Sequence, residues 1–200
     1  MIDTDSRLRA ARGFGKTEKE ASIAVFRKLK ERGHPEVPPP TVPDGRGGIR
    51  EAAAEVYGKV PEWKYLQMIK ERDDKSRFLG IRLKAVYGDP EELIQLLGKS
   101  TAYVERTHLT MSTFSSRPTR KSIAFSKEIC IHNGCAATED MYLYYNLIRP
   151  HKTLRRKNKD RGVRKWIQRT PAMAAGLTDH RWTLKELFTT VVVGEQHSAG

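Results

Sequence analysis

The segment Tyr103-Val104-Glu105-Arg106-Thr107-His108-Leu109-Thr110-Met111 sets a carboxylate beside a guanidinium at the opening of an amphipathic stretch. From Arg106 to Lys127 the chain then carries five Lys/Arg and no acid. Carboxylate oxygens are hard ligands suited to Mg²⁺, and a basic tract attracts an anionic polymer. Together they suggest metal-dependent chemistry on DNA. Cys130, His132, Cys135 and His151 are a second set of candidate ligands, but Cys130 and His132 would point to different faces of a helix. Buried thiols are the simpler account of the cysteines. No Gly-x-Ser-x-Gly elbow, phosphate-cradling glycine loop or dinucleotide fingerprint occurs, which argues against serine-hydrolase and nucleotide-binding readings.

Charge gives the next indication. The 200 residues carry a formal net charge of +13, and it is unevenly spread. Between Arg149 and Arg169 ten Lys/Arg face a single acid, Asp160. Trp166 and Ile167 interrupt that tract and an apolar Thr170-Pro171-Ala172-Met173 segment follows it, a pattern that fits a folded nucleic-acid surface better than a solvated tail. Two cysteines are too few for a disulfide framework and no charged-then-apolar leader opens the chain, so a reduced, cytoplasmic protein is expected. The longest aliphatic run, Val191-Val192-Val193, is far short of a membrane span, and no membrane partner is expected.

Several elements must position these groups. Met1-Ile2-Asp3 reads as the end of a strand, Thr4-Asp5-Ser6 as a turn, and Arg7 to Phe14 as the returning strand. Thr17 and Glu20 form a capping-box pattern for a helix whose Ile23, Phe26 and Leu29 share a face, with Gly33 closing it. After the stiff Pro35–Pro40 loop, Thr41-Val42 reads as a short strand leading into Pro43-Asp44-Gly45. The Ala-rich run Ile49–Tyr57 reads as a helix stopped by Gly58. Lys64–Ile69 and Ile81–Val86 alternate as strands, and the charge-balanced Lys70–Arg77 between them reads as a solvated loop. Ser100 or Thr101 caps a helix bearing Glu105, and Ser126 caps a longer one that runs toward Asn146 and stops before Pro150. Thr183 and Glu186 repeat the capping box. Residues 1–188 read as one domain and 189–200 as a disordered tail.

The order Asp44-Gly45, Glu105-Arg106, Thr119-Arg120-Lys121, Phe125-Ser126-Lys127, Tyr144-Tyr145-Asn146, Arg149-Pro150-His151 and Thr170-Pro171-Ala172 resembles DDE-type transposases of bacterial insertion sequences, and more narrowly the insertion-sequence-one group. The resemblance covers nearly the whole chain. It implies an α/β fold of the RNase H-like kind, a mixed sheet flanked by helices, and Mg²⁺- or Mn²⁺-dependent cleavage and strand transfer of DNA. In that family three acids hold the metal, from the first strand, the end of the fourth strand and a later helix. Asp44 matches the second and Glu105 the third. The resemblance further implies that Arg106, Arg120, Lys121, Lys127, Arg149, Lys152, Arg155, Arg156 and Lys157 hold DNA, and that the chain assembles as a homo-oligomer on it. Arg149-Pro150-His151 resembles the turn that closes the core of these enzymes, with His151 in a structural role.

The first acid is harder to assign. Asp3 is one candidate, but only one full strand separates it from the Thr17-capped helix, whereas an RNase H-like sheet has three strands before its first helix. Asp3 therefore fits the end of the second strand, and the reading expects the first strand and its aspartate upstream of a truncated N-terminus. Three departures bear on activity: Ser112 where the family often has arginine, Arg117-Pro118 where it often has Arg-Leu, and Pro43, which removes a strand donor just before Asp44. Two further readings stay open: a non-catalytic DNA-binding remnant and another RNase H-like nuclease.

Overall fold

Thr17 begins the first helix by folding its hydroxyl back onto the chain. In the computed structural model, which describes residues 1–43, 47–97, 142–158 and 165–190, Thr17 Oγ1 accepts from Glu20 N at 3.2 Å and opens α1, Glu18–Glu31. Only half of the capping box forms. The Glu20 carboxylate accepts from Lys16 N at 2.8 Å, one residue earlier than the pattern predicts. At the other end Gly33 takes a φ of +128°, a conformation that suits glycine, and His34 N reaches Leu29 O at 3.0 Å.

The chain divides into two compact units, one of Met1–Thr4 with Arg9–Thr138 and one of Asp5–Leu8 with Glu139–Gly200. In the first, α1 packs on α2, Gly48–Tyr57. Ala52 and Ala53 are fully or almost fully buried on α2, and such small side chains let two helix axes approach closely. Phe26 and Leu29 of α1 join Ala11, Trp63 and Tyr65 in the same core. Gly58 stops α2 with a φ of +78°. The segment before α1 also lies very close to it: a Cβ on Gly13 would sit 2.0 Å from Ala21 O, so no larger residue fits there without moving backbone.

The extended residues Thr41–Pro43 run parallel to β1, Tyr65–Arg72. Thr41 N donates to Lys64 O at 2.9 Å, Leu66 N to Thr41 O at 3.1 Å, and Met68 N to Pro43 O at 3.0 Å. Pro43 is tolerated because this ladder uses only its carbonyl. Thr41–Pro43, α2 and β1 thus form a strand–helix–strand unit, the connection that parallel strands require. β2, Phe78–Tyr87, pairs antiparallel on β1.

The expected loop at Lys70–Arg77 is mostly strand and tight turn. Asp73 organises it: Oδ1 accepts from Lys75 N at 3.0 Å and Arg77 N at 2.7 Å, and Oδ2 takes the Arg77 guanidinium at 2.9 Å. Its distal residues are exposed, which is why the charge pattern resembled a loop. After β2, Asp89 caps a helix that the sequence reading missed, α3, Pro90–Leu97, its Oδ1 accepting from Glu92 N at 2.9 Å. Leu93 is fully buried beneath the strands, and Lys64 pairs with Glu92.

The N-terminal return is slighter than predicted. A single antiparallel bridge joins Ile2 to Arg9, supported by Ala10 N to Met1 O at 3.1 Å, in place of a strand from Arg7 to Phe14. The described architecture is mixed α/β, with two small antiparallel sheets, β1–β2 and, in the second unit, β3, Arg156–Lys157, with β4, Trp166–Ile167.

Candidate nucleic-acid interface

Pro150 determines where the second unit turns. The described end of the preceding helix is a π-type turn, Tyr144–Ile148, in which Arg149 N donates to Tyr144 O at 2.9 Å. The residue before a proline is pushed out of the helical region, and Arg149 is extended at φ −78°, ψ 114°. The predicted stop before Pro150 is therefore found, with the wider π turn as its last step. His151 packs edge-on against Tyr145, with ring centroids 4.6 Å apart, and its backbone N–H donates to Arg169 O at 3.0 Å. That contact ties the two ends of the basic tract together.

From there Lys152–Leu154 makes one 3₁₀ turn and Arg155 is extended. β3, Arg156–Lys157, pairs antiparallel with β4, Trp166–Ile167, in the register Arg156 opposite Ile167 and Lys157 opposite Trp166. Asn158 N continues the ladder to Lys165 O at 3.0 Å. The result is a two-stranded ribbon carrying exposed Arg149, Lys152, Arg155, Arg156, Lys157 and Lys165. Among the described residues none of these six forms an ion pair with a carboxylate. Their charge faces solvent, where an anionic chain can replace the counterions.

The tenth basic residue of the tract behaves differently. Arg169 is partly buried and donates to Met173 O at 2.6 Å. This satisfies a carbonyl of α4, Pro171–Ala174, whose N-cap is the fully buried Thr170. Desolvation, and then the nearby Arg156 charge, lowers the Arg169 pKa from its ordinary value. Arg169 holds the base of the ribbon and does not belong to its exposed surface.

Around the ribbon the unit is fastened by polar contacts. Arg181 Nε donates to Ile148 O at 2.8 Å, Trp182 N to Leu147 O at 3.2 Å, and Leu177 N to Ala172 O at 2.9 Å. The last described helix, α5, Leu184–Thr189, has the complete capping box that the sequence predicted: Glu186 N to Thr183 Oγ1 at 3.1 Å and Thr183 N to Glu186 Oε2 at 2.6 Å. Ahead of it His180 lies between two carboxylates, with Nδ1 2.6 Å from Asp179 and Nε2 3.2 Å from Glu186. These contacts raise the His180 pKa above its ordinary value.

The sequence-predicted residues are therefore placed unevenly. Arg149, Lys152, Arg155, Arg156 and Lys157 lie together on the second unit. Asp44, Glu105, Arg106, Arg120, Lys121 and Lys127 lie outside the described residues, so the structure neither joins nor separates the two candidate metal ligands. Asp3 is exposed and directly follows the Ile2–Arg9 bridge, ahead of the turn at Thr4–Ser6. Among the described residues no group of three or more His, Cys, Asp or Glu could hold a metal ion, and no helix is long and apolar enough to cross a membrane.

The sequence reading had not anticipated that the Arg155 guanidinium lies over the Trp166 ring, 4.2 Å from its centroid. The one signal in the sequence was that Trp166 and Ile167 interrupt the basic tract. No protein-family model matches the chain, and neither a curated protein nor a solved structure matches it.

Proposed function

We propose that this chain is a catalytic portion of a DDE-type transposase with an RNase H-like fold, which binds DNA through its basic ribbon and acts on phosphodiesters through a carboxylate-held divalent ion. The observation that carries the proposal is the strand–helix–strand unit of Thr41–Pro43, α2 and β1, because Asp44 directly follows Pro43 in the chain. Ligand sites of α/β sheets lie beyond the carboxyl ends of parallel strands. The order of elements gives further support: an antiparallel return, a helix, a short strand, a helix and a parallel strand is the order of an RNase H-like sheet from its second strand onward.

Carboxylate oxygens are the donors that Mg²⁺ and Mn²⁺ take, so Asp44 and Glu105 suit two positions around such an ion. Bound there, the metal would stabilise charge on the attacking and leaving oxygens of a phosphodiester. Arg106, Arg120, Lys121 and Lys127, with the exposed Arg149, Lys152, Arg155, Arg156, Lys157 and Lys165, would hold phosphates and fix the strand. A DNA partner would place the protein at the nucleoid.

Electron paramagnetic resonance titration with Mn²⁺, on the full chain with DNA present, tests the metal assignment. Binding should weaken at least tenfold in Asp44→Asn and in Glu105→Gln and persist in Asp3→Asn. Unchanged Mn²⁺ binding in both of the first two variants would remove the catalytic reading. A second reading, a DNA-binding protein without catalysis, is favoured by the ribbon, whose cations need no carboxylate. It predicts DNA binding that is indifferent to all three substitutions.

A further inference from the structure

Phosphate binding alone does not account for Trp166. Successive side chains of a strand alternate between faces, and directly opposed residues of an antiparallel pair share one. Arg155 and Lys157, two positions apart, therefore lie on the same face as Trp166, which is opposite Lys157. Arg156 and Ile167 take the other face. One side of the ribbon thus presents an indole 36% exposed, with a guanidinium 4.2 Å from its ring centroid and an ammonium-bearing side chain across from it. A flat aromatic held beside cations is the arrangement on which single-stranded nucleic acid stacks its bases while its phosphates are neutralised. In an intact duplex the base faces are occupied by their neighbours, so only an unpaired base can use such a platform.

We propose that the Arg155–Trp166 face is a stacking site for unpaired bases of a DNA strand. The proposal rests on the reading of the ribbon as a DNA surface and deepens it: the preferred substrate carries frayed or single-stranded nucleotides, and the ribbon distinguishes it from duplex. Arg155 both orients the ring and supplies a planar cation against which a base can lie. Lys157 neutralises the adjoining phosphate.

The decisive comparison is between two strands of equal charge, a short oligothymidylate and an abasic strand of the same length, titrated into the full chain by fluorescence anisotropy. Oligothymidylate should bind roughly five- to a hundredfold more tightly. Trp166→Ala should abolish the difference while leaving the abasic strand's affinity unchanged, and Trp166→Phe should retain most of it. In the unsubstituted chain, a 2-aminopurine placed in the strand should change its fluorescence on binding, a readout that needs no variant. Equal binding of the two strands with a silent 2-aminopurine would overturn the stacking site while leaving the ribbon as a phosphate surface. Failure of every strand and of duplex to bind at low salt would overturn the DNA reading as well. Preference for oligouridylate over oligothymidylate would overturn the assignment to DNA.

Discussion

Trp63 and Trp166 are the same residue in opposite settings. Trp63 is 3% exposed, meets Phe26 edge-on at 5.9 Å and Tyr65 at 4.5 Å, and donates its indole N–H to Pro39 O at 3.1 Å. It therefore joins α1, the proline-rich loop and β1 in one apolar cluster. Trp166 lies on a two-residue strand with a guanidinium as its ring partner. The two units differ in the same way. The first is built around aromatic contacts, whereas the second, among its described residues, buries chiefly Ile148, Thr170, Pro171 and Ala172 and is fastened by hydrogen bonds to backbone carbonyls. An apolar core favours one packed arrangement; a polar-stitched, cation-bearing surface keeps its groups available to a partner.

Substitution of the two tryptophans should give the largest contrast. Trp63→Ala removes a buried ring and leaves a cavity, at a cost of about 3–5 kcal/mol, and should lower the urea midpoint of the first unit sharply. Trp166→Ala forfeits an exposed cation–π contact and should cost no more than about 1 kcal/mol. If Trp166→Ala destabilises as much as Trp63→Ala, Trp166 is a core residue and the contrast fails.

The next effect concerns charge. Duplex DNA binding by the full chain should show log K falling against log salt with a slope of about −4 to −8, corresponding to roughly five to nine neutralised phosphates. Arg155→Ala combined with Arg156→Ala should make that slope shallower by about two units, with little change in the denaturant midpoint. A parental slope shallower than about −2 would mean that the ribbon's charge does not face DNA.

What the sequence disclosed follows from how local each feature is. Thr17, Gly33, Gly58, Thr183 with Glu186, and Pro150 act on residues one turn away, so the helix ends they specify were readable, as were the strands at Tyr65 and Ile81. Asp89-Pro90-Glu91-Glu92 was equally local, an N-cap followed by proline and acids, yet α3 was missed because its short apolar stripe sits among strands. Lys70–Arg77 misled because polar residues on an exposed hairpin resemble a loop. The basic character of Arg149–Lys157 was plain from composition. The Arg155–Trp166 contact was not, since it depends on cross-strand register between residues far apart in the chain.

The subtlest test asks whether the second unit is fastened by polar contacts, as the comparison holds, and it concerns pH. His180 has its pKa raised, first by its bond to Asp179 and then by its bond to Glu186. A raised pKa contributes stability that is fully present below the unfolded value, 6.5, and is lost as pH rises through the folded value. The carboxylates act in the opposite sense. Glu186 is lowered chiefly by the Thr183 backbone N–H and Asp179 chiefly by His180, so their contributions are present above ordinary carboxylate values and disappear as pH falls through the lowered ones. The start of α5 should therefore be most ordered between the two ranges and should loosen as pH rises above 6.5 through the raised His180 value. Cα chemical shifts of Leu184–Thr189 would report this, with those of α1 as the internal reference from the apolar unit. His180→Gln should flatten the upper limb while leaving the acid limb of Glu186 in place, because the Thr183 capping bond survives the substitution. An α5 whose helicity is unchanged as His180 loses its proton, or an α1 that loosens in parallel, would show that polar stitching does not distinguish the second unit from the first.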